Sequence, residues 1–377
     1  MFAAFCLLLA QEPPAPTAAD RLRQMWSRGQ CEGQGAPRFS VSPMDPADIG
    51  VILPLGLMVD AHVTPIDHQY YSPKDLSLGR DAYPVRSPVD GRIVLIQHRD
   101  RFVGDRDAGD STSEFRIVIE HSCTFWIYFD LITSLDAGVA AQLEKTPAGM
   151  ESAWVRIPVK AGEAIGRIGA QTLDIGVVNT EVTLKGFVVP EHYDAEPWKI
   201  HSVDSFDYYD EPLRAELLAL NPRTAEPRGG KIDYDIDGRL AGNWFREGTN
   251  GYQGVDRSRY WAGHFSAAYH FIDPHEITLS FGDYDGRSRQ FWVKGNAPNP
   301  ADVSVETGLV VYELVPVGTF FQGRGSTTVI RNRQDDRVDG VALLELIEDR
   351  KLKLEVFPGK TAVEVTGFSD AALIYSR

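Results

Sequence analysis

HVTPIDHQYYSPKDLSLGRDAYPVRSPVDGRIV, residues 62–94, is the stretch that decides the fold of the first half of the chain. Its first seven positions contain three side chains of the kind that bind metals, His62, Asp67 and His68. Its last part, PVRSPVDGRIV, predicts a strand, a tight turn at residues 89–91 and a second strand. In such a turn the Asp side chain can bond to its own backbone, and Gly accepts a positive φ.

Two further stretches continue the β pattern. Residues 115–131, FRIVIEHSCTFWIYFDL, begin with alternating side chains, which predicts a half-buried strand followed by a partner strand. Residues 155–178 repeat strand and glycine-turn signals, and residues 181–189 are predicted to form the last strand. Short helices are predicted over 20–28 and 136–145. Because the strands are many and short and helix is scarce, we expect a compact antiparallel β-domain.

The size and charge of the chain limit its possible partners. Its 377 residues are enough for two domains, each with its own core. The 38 basic and 53 acidic side chains give a formal net charge of -15. Nucleic acid and an anionic membrane surface would repel this charge, so neither is expected as a partner. An uncharged or zwitterionic polymer remains compatible with it.

The N-terminus reads MFAAFCLLLA and then QEPPAPTAAD. An apolar run followed by a Pro-rich spacer is typical of a secretory signal peptide, so residues 1–18 are predicted to be a leader and spacer. A secreted or periplasmic location follows as an expectation, and a buried N-terminal helix is the alternative. No later segment approaches the roughly 20 apolar residues that a membrane-spanning helix needs, so no transmembrane span is expected.

Two cysteines remain after the predicted leader, Cys31 and Cys123. In an oxidising compartment they could pair and attach the N-terminal segment to the β unit. Nothing in the sequence shows that they are close, so two independent buried thiols are the alternative.

The order of motifs between residues 50 and 190 resembles that of the lysostaphin-like (LytM-type) zinc metallopeptidases, which cut peptide cross-links in bacterial cell walls. The matching parts are, in chain order, His62, Asp67, the hairpin SPVDGRIV (87–94), the strand pair 119–131, VKAGEAIGRIG (159–169) and the closing strand 172–177. The resemblance implies an antiparallel β-domain of the duplicated-hybrid-motif type over residues 19–190. It also implies zinc as a cofactor and peptidoglycan as a substrate or binding partner.

The resemblance implies a zinc site formed by His62, Asp67 and Asp174. Active members carry a histidine at the position of Asp174, so the third ligand here would be a carboxylate, which zinc accepts. His62 and Asp67 are five positions apart, which places them on opposite faces of a plain strand, whereas His62 and His68 share a face. A bulge at Pro65 would allow either pair. His68 is therefore an alternative ligand, and a polar loop without metal is a further alternative.

Asp130 and His121 are the candidates for proton transfer. Asp130 stands where active family members have a histidine, and a carboxylate there could act as a general base. His121 lies in an apolar β run, where it could be a buried core residue or part of the cleft wall. Thr172 replaces a second supporting histidine, so the catalytic set is degenerate.

The second half of the chain begins after a predicted linker, residues 191–230, which contains a short helix over 211–220. Residues 231–377 carry short strands separated by Gly, Asp and Asn turns, which predicts a β-barrel or β-sandwich. GRLAGNWF, residues 238–245, faintly resembles the first strand of lipocalin-like barrels, and this would suit a small-ligand carrier.

These observations predict a mainly β protein of the cell envelope. Its peptidase-type domain is expected to have lost most of its activity and to act by binding peptidoglycan or an envelope protein. The alternative is an active zinc hydrolase of the peptidoglycan endopeptidase type that uses His62, Asp67 and Asp174. The oligomeric state does not follow from the sequence.

Overall fold

The computed structural model describes residues 15–100, 113–143, 152–317, 320–323, 326–329 and 337–377. Most of the predicted leader, residues 1–14, lies outside them. The described chain is mainly β, as predicted, with antiparallel sheets. The α-helices of the described residues are α1 (Ala18–Ser27), α2 (Ala137–Leu143) and α3 (Leu213–Ala219). Each overlaps a helix that the sequence predicts.

The first half of the chain forms an eight-stranded and a three-stranded sheet. The strands are β1 (Ile49–Leu53), β2 (Gln69–Pro73), β3 (Tyr83–Arg86), β4 (Gly91–Asp100), β5 (Ser113–Ser122), β6 (Phe125–Ile132), β7 (Ser134–Leu135), β8 (Ser152–Val159), β9 (Ala164–Ile168), β10 (Leu173–Asn179) and β11 (Ser202–Val203). The larger sheet has the order β1-β2-β10-β6-β5-β4-β8, with β11 beside β10, and the smaller has the order β3-β9-β7. The larger sheet therefore places β2, β10 and β6 side by side.

The larger sheet is buried on both faces at its centre. Ile117 and Ile119 of β5 belong to the main core, whereas Val118 between them packs in a second cluster with Leu22 and Trp26 of α1. Alternate residues of a strand point to opposite faces, so one strand supplies both cores. The prediction of a half-buried strand is wrong here, because α1 covers the face that we expected to be exposed.

The turn before β4 has the predicted position but a different physical basis. The Asp90 carboxylate accepts hydrogen bonds from the Ala161 backbone N–H and from Lys160 Nζ, each at 2.9 Å, so it joins two separate turns. Gly91 is required by close approach, because a Cβ there would lie 2.5 Å from the carbonyl oxygen of Glu120. A positive φ is not its role.

The strand predicted over residues 181–189 is absent from the structure. The chain turns directly after β10, where the side-chain oxygen of Asn179 accepts the backbone N–H of Glu181 and its carbonyl accepts that of Val182, both at 3.0 Å. Strand pairing beside β10 is instead provided by the short β11.

The second half of the chain forms a closed eight-stranded barrel, which decides between the barrel and the sandwich. Its strands are β12 (Gly242–Arg246), β13 (His264–Tyr269), β14 (Ile277–Phe281), β15 (Arg289–Val293), β16 (Val310–Pro316), β19 (Gly340–Glu348), β20 (Lys351–Pro358) and β21 (Leu373–Ser376). A separate hairpin, β17 (Phe320–Gly323) and β18 (Ser326–Val329), lies between β16 and β19 in the sequence. Sequential strands pair, and β12 closes the barrel against β21.

Large side chains pack together as the core of the barrel. Trp244 is fully buried, donates its indole N–H to the Leu240 carbonyl at 2.9 Å and lies under the Arg377 guanidinium, 4.0 Å from the ring centre. The rings of Phe265 and Phe281 pack against each other in the same cluster, with 5.1 Å between their centres. The GRLAGNWF motif therefore supplies packing, and these contacts do not support the small-ligand carrier.

The two halves are packed against each other. Leu55 and Tyr252 belong to one shared apolar cluster, and Tyr70 and Phe271 belong to another. Because Tyr70 lies on β2, the barrel half reaches a strand beside the predicted site.

Cys31 and Cys123 form a disulfide, so the pairing that the sequence left open is made. It attaches the segment after α1 to the turn between β5 and β6. No helix among the described residues is both long and apolar enough to cross a membrane.

Candidate functional site

The predicted metal-type side chains meet beside β2, β10 and β6. His68 directly precedes β2, and Asp174 of β10 lies opposite Asp130 of β6. Asp67, His68, Asp130 and Asp174 are all buried. His62 is half-buried, and its ring centre lies 6.0 Å from that of His68. The structure thus brings the four predicted ligands and Asp130 into one cluster, which we call the central cluster.

Both oxygens of the Asp67 carboxylate accept hydrogen bonds from the protein. Lys199 Nζ donates to Oδ1 at 2.7 Å, while Trp198 Nε1 and the Tyr128 hydroxyl donate to Oδ2 at 2.6 and 2.9 Å. Burial alone would raise the pKa of Asp67, but the charges of Lys199 and His68 outweigh it and hold the pKa below its ordinary value. Asp67 is therefore an ionised carboxylate with a resident counter-ion.

Lys199 is the cation paired with Asp67. It begins a single 3-10 turn (Lys199–His201), and only 3% of its side chain is exposed. Its ammonium also lies 3.3 Å from Glu196 Oε2 and 4.5 Å from the ring centre of Tyr252, which comes from the barrel half. Burial lowers the pKa of Lys199, but Asp67 and Glu196 more than compensate and raise it. The ammonium is therefore charged at neutral pH.

His68 and Asp174 form a second buried pair. His68 Nε2 lies 3.3 Å from Asp174 Oδ2, and its Nδ1 lies 3.8 Å from Asp67 Oδ1. Burial lowers the pKa of His68, but the Asp174 charge reverses this and the net pKa is raised. Burial also raises the pKa of Asp174, against the opposing effect of His68. The Asp174 carboxylate therefore keeps the His68 imidazole protonated to a higher pH than is usual for a histidine.

His62 is held neutral. Burial lowers its pKa to about 3, and the nearby charges of His68 and Lys199 act in the same direction. Its Nδ1 is closed off from solvent and has no hydrogen-bond partner among the described residues. A neutral imidazole beside a permanent ammonium is the stable arrangement, because a second cation there would be repelled.

Asp130 is engaged by an arginine. Arg116 Nε donates to Asp130 Oδ1 at 2.6 Å, and a second guanidinium N–H donates to Oδ2. The guanidinium lies 4.9 Å from the ring centre of Tyr128. Both oxygens of Asp130 are therefore directed at the guanidinium in a bidentate pair, which argues against its predicted role as a general base.

His121 lies away from the central cluster. Its Nδ1 is 2.8 Å from the carbonyl oxygen of Asp90, and its ring packs against Phe125 at 6.4 Å. It is therefore placed at the turn end of β5 and makes none of the contacts described for Asp67 or Asp174.

The zinc ion that the resemblance implies can be tested against these contacts. A zinc ligand must turn a free lone pair to the metal at about 2 Å, but both oxygens of Asp67 are directed at protein donors. The Lys199 ammonium also supplies the positive charge that a metal ion would supply. Among the residues that the structure describes, no three or more His, Cys, Asp or Glu side chains are arranged to hold a metal ion. The residues present do not fit zinc.

Comparisons with known proteins give little for the chain as a whole. No family model matches it, and a search of curated proteins gives no match. Two structures of Helicobacter pylori Csd3, from hexagonal and orthorhombic crystals, match at 15% and 16% sequence identity, each with a TM-score of 0.23. The matches cover 38% of this chain and 31% and 33% of the Csd3 chains. At this TM-score the likeness supports no functional inference.

Sequence reasoning missed Lys199, Trp198 and Arg116. Lys199 and Trp198 lie 132 and 131 positions from Asp67, in a segment that reads as a linker. Arg116 carried a usable signal, because a charged residue at the start of an otherwise apolar strand needs a partner when that strand is covered on both faces.

Proposed function

We propose that this chain is a cell-envelope protein with a lysostaphin-like first domain that binds peptidoglycan and does not hydrolyse it. The observation that carries the proposal is the Lys199 ammonium on Asp67, inside a buried cluster. Peptide hydrolysis needs an activated water and a stabilised oxyanion. Here the carboxylates that could activate a water are paired with Lys199, Arg116 and His68.

The burial of the cluster supports the same proposal. Asp67 and Asp130 are each 3% exposed, and Asp174 is 6% exposed. The buried Tyr252 of the barrel half lies over Lys199, with 4.5 Å between the ammonium and the ring centre. Groups this deeply buried are not accessible to a polymeric substrate, so we assign polymer binding to the surface.

An extracytoplasmic location is part of the proposal. The Cys31–Cys123 disulfide is of the kind that persists in oxidising compartments, and the apolar start of the chain has the composition of a leader. A net charge of -15 is compatible with a neutral or zwitterionic polymer and unsuited to nucleic acid.

Co-sedimentation with purified insoluble peptidoglycan tests the proposal. We expect the protein to pellet with the polymer, to release no soluble peptides and to be insensitive to added zinc or chelator. Release of soluble peptides that requires zinc and stops with chelator would establish the alternative, a zinc hydrolase using His62, Asp67 and Asp174. A protein that stays in the supernatant would exclude peptidoglycan and favour an envelope protein as partner.

A further inference from the structure

A cavity of about 290 Å³ lies between the end of α1 and the outer strands β4 and β8, on the face of the sheet that α1 covers. Trp26, Ser27, Arg28 and Gln30 of the N-terminal segment form one wall, and Val94, Trp154 and Arg156 contribute to the other. None of these residues takes part in the central cluster. The volume is at the lower end of the range for small-molecule sites, which suits a ligand of one ring.

The polar groups around the cavity are mainly donors. Arg28, Gln30 and Arg156 are exposed, and among the described residues no hydrogen bond occupies their side chains. Arg156 makes an ion pair with the buried Glu120 carboxylate at 4.0 Å, which is too long for a hydrogen bond, so its N–H groups remain available. In a chain of net charge -15, two guanidiniums with free N–H groups on one small cavity favour an anion. Guanidinium geometry matches a carboxylate.

The apolar part of the wall is flat and fixed. Trp154 is 38% exposed, although its Nε1 donates to the Met25 carbonyl at 2.9 Å and so holds the indole in place. The Arg28 guanidinium lies 4.0 Å from the centre of that indole. A half-exposed indole beside cationic groups suits a ring with one apolar face and one charged substituent.

The wall formed by residues 26–30 is held against the sheet from both ends. Ser27 Oγ accepts the indole N–H of Trp126 at 3.1 Å, and Cys31 is bonded to Cys123. The cavity is therefore preorganised, which lowers the entropic cost of binding a small ligand.

We propose that this cavity binds a carboxylated monosaccharide, with its carboxylate on Arg28 and Arg156 and the sugar ring against the part of the Trp154 indole that Arg28 leaves exposed. The proposal deepens the proposed function, on which the choice of a sugar rests, because it names the part of the polymer that the protein recognises. It does not depend on whether the central cluster binds zinc.

Ligand-observed NMR titration of the full chain tests it with two matched probes. N-acetylmuramic acid carries a carboxylate, and N-acetylglucosamine is the same ring without it. We expect saturable binding of N-acetylmuramic acid and at least about tenfold weaker binding of N-acetylglucosamine, because a charge-assisted hydrogen bond is lost. Arg156→Gln and Trp154→Leu should each weaken binding of N-acetylmuramic acid by about tenfold or more.

Arg287→Gln is the matched control, because Arg287 is an exposed arginine of the barrel half and its loss changes the net charge equally. It should leave binding unchanged. The proposal is overturned if the wild type shows no saturable binding, if both sugars bind equally, or if neither Arg156→Gln nor Trp154→Leu weakens binding. If N-acetylmuramic acid does not bind but the protein still pellets with peptidoglycan, the cavity proposal fails and the proposed function stands. If the sugar binds and the protein does not pellet with peptidoglycan, the cavity proposal stands and the proposed function fails.

Discussion

Replacing Lys199 with methionine should destabilise the first domain strongly, although the change keeps the length and apolar stem of the side chain. Asp67 is 3% exposed and would keep only its bonds from Trp198 and Tyr128. At an effective dielectric constant of about 20, an ammonium at 2.7 Å attracts a carboxylate by roughly 6 kcal/mol. Desolvation offsets part of this attraction, and removal of one partner of a buried pair typically costs about 3–5 kcal/mol. We expect a loss of that size.

Urea unfolding followed by tryptophan fluorescence measures this loss, because Trp198 contacts Asp67 directly. Trp26 stacks on Trp198, with 5.5 Å between the ring centres. Lys185→Met is the control, because Lys185 is exposed, and it should change the unfolding free energy by less than about 0.5 kcal/mol. The double variant Lys199→Met/Asp67→Asn removes both charges and should be more stable than Lys199→Met alone. A loss below about 1 kcal/mol for Lys199→Met, or no recovery in the double variant, would refute the assignment of Lys199 as the structural counter-ion.

Three further predictions concern stability. Folding lowers the pKa of His62 from 6.5 to about 3, so the unfolded chain binds a proton first as the pH falls, and stability is lost between those two pH values. The melting temperature of His62→Gln should therefore fall less than that of the wild type from pH 7 to 4. Parallel plots of melting temperature against pH for the two proteins would contradict this. The Cys31–Cys123 disulfide spans 92 positions, so replacing both cysteines with serine should lower the unfolding free energy in urea by about 4–5 kcal/mol. A loss below about 1 kcal/mol would count against a stabilising role of this disulfide. Gly91→Ala should cost about 1–3 kcal/mol, because its Cβ would lie 2.5 Å from the Glu120 carbonyl oxygen; an unchanged unfolding midpoint would show that β4 and β5 can separate freely.

The strands could be predicted because their signals are local. Residues 164–168, for example, lie between a Gly-containing turn and the loop at Gly169, and they form β9 as predicted. The strand predicted over 181–189 failed because its apolar residues pack against the barrel half, with Leu184 and Phe187 in a shared cluster, and not in a ladder. Period and composition do not distinguish these two kinds of burial.

The central cluster could be predicted only in part. His62, Asp67, His68 and Asp174 follow from motif order, and the structure places them together. Their chemistry depends on Lys199, which reaches Asp67 across 132 positions and carries no motif of its own. Residues so far apart in the sequence meet because of the path that the linker takes across the sheet. That path cannot be predicted from a pattern of residue types.

The most direct test of the central claim is the zinc content of the purified chain after equilibration with excess zinc and desalting, measured by elemental analysis beside Asp174→Ala. We expect no stoichiometric zinc in either protein, because Lys199 occupies the charge position that a metal would need. Near-stoichiometric zinc in the wild type that falls in Asp174→Ala would contradict this claim and support the hydrolase.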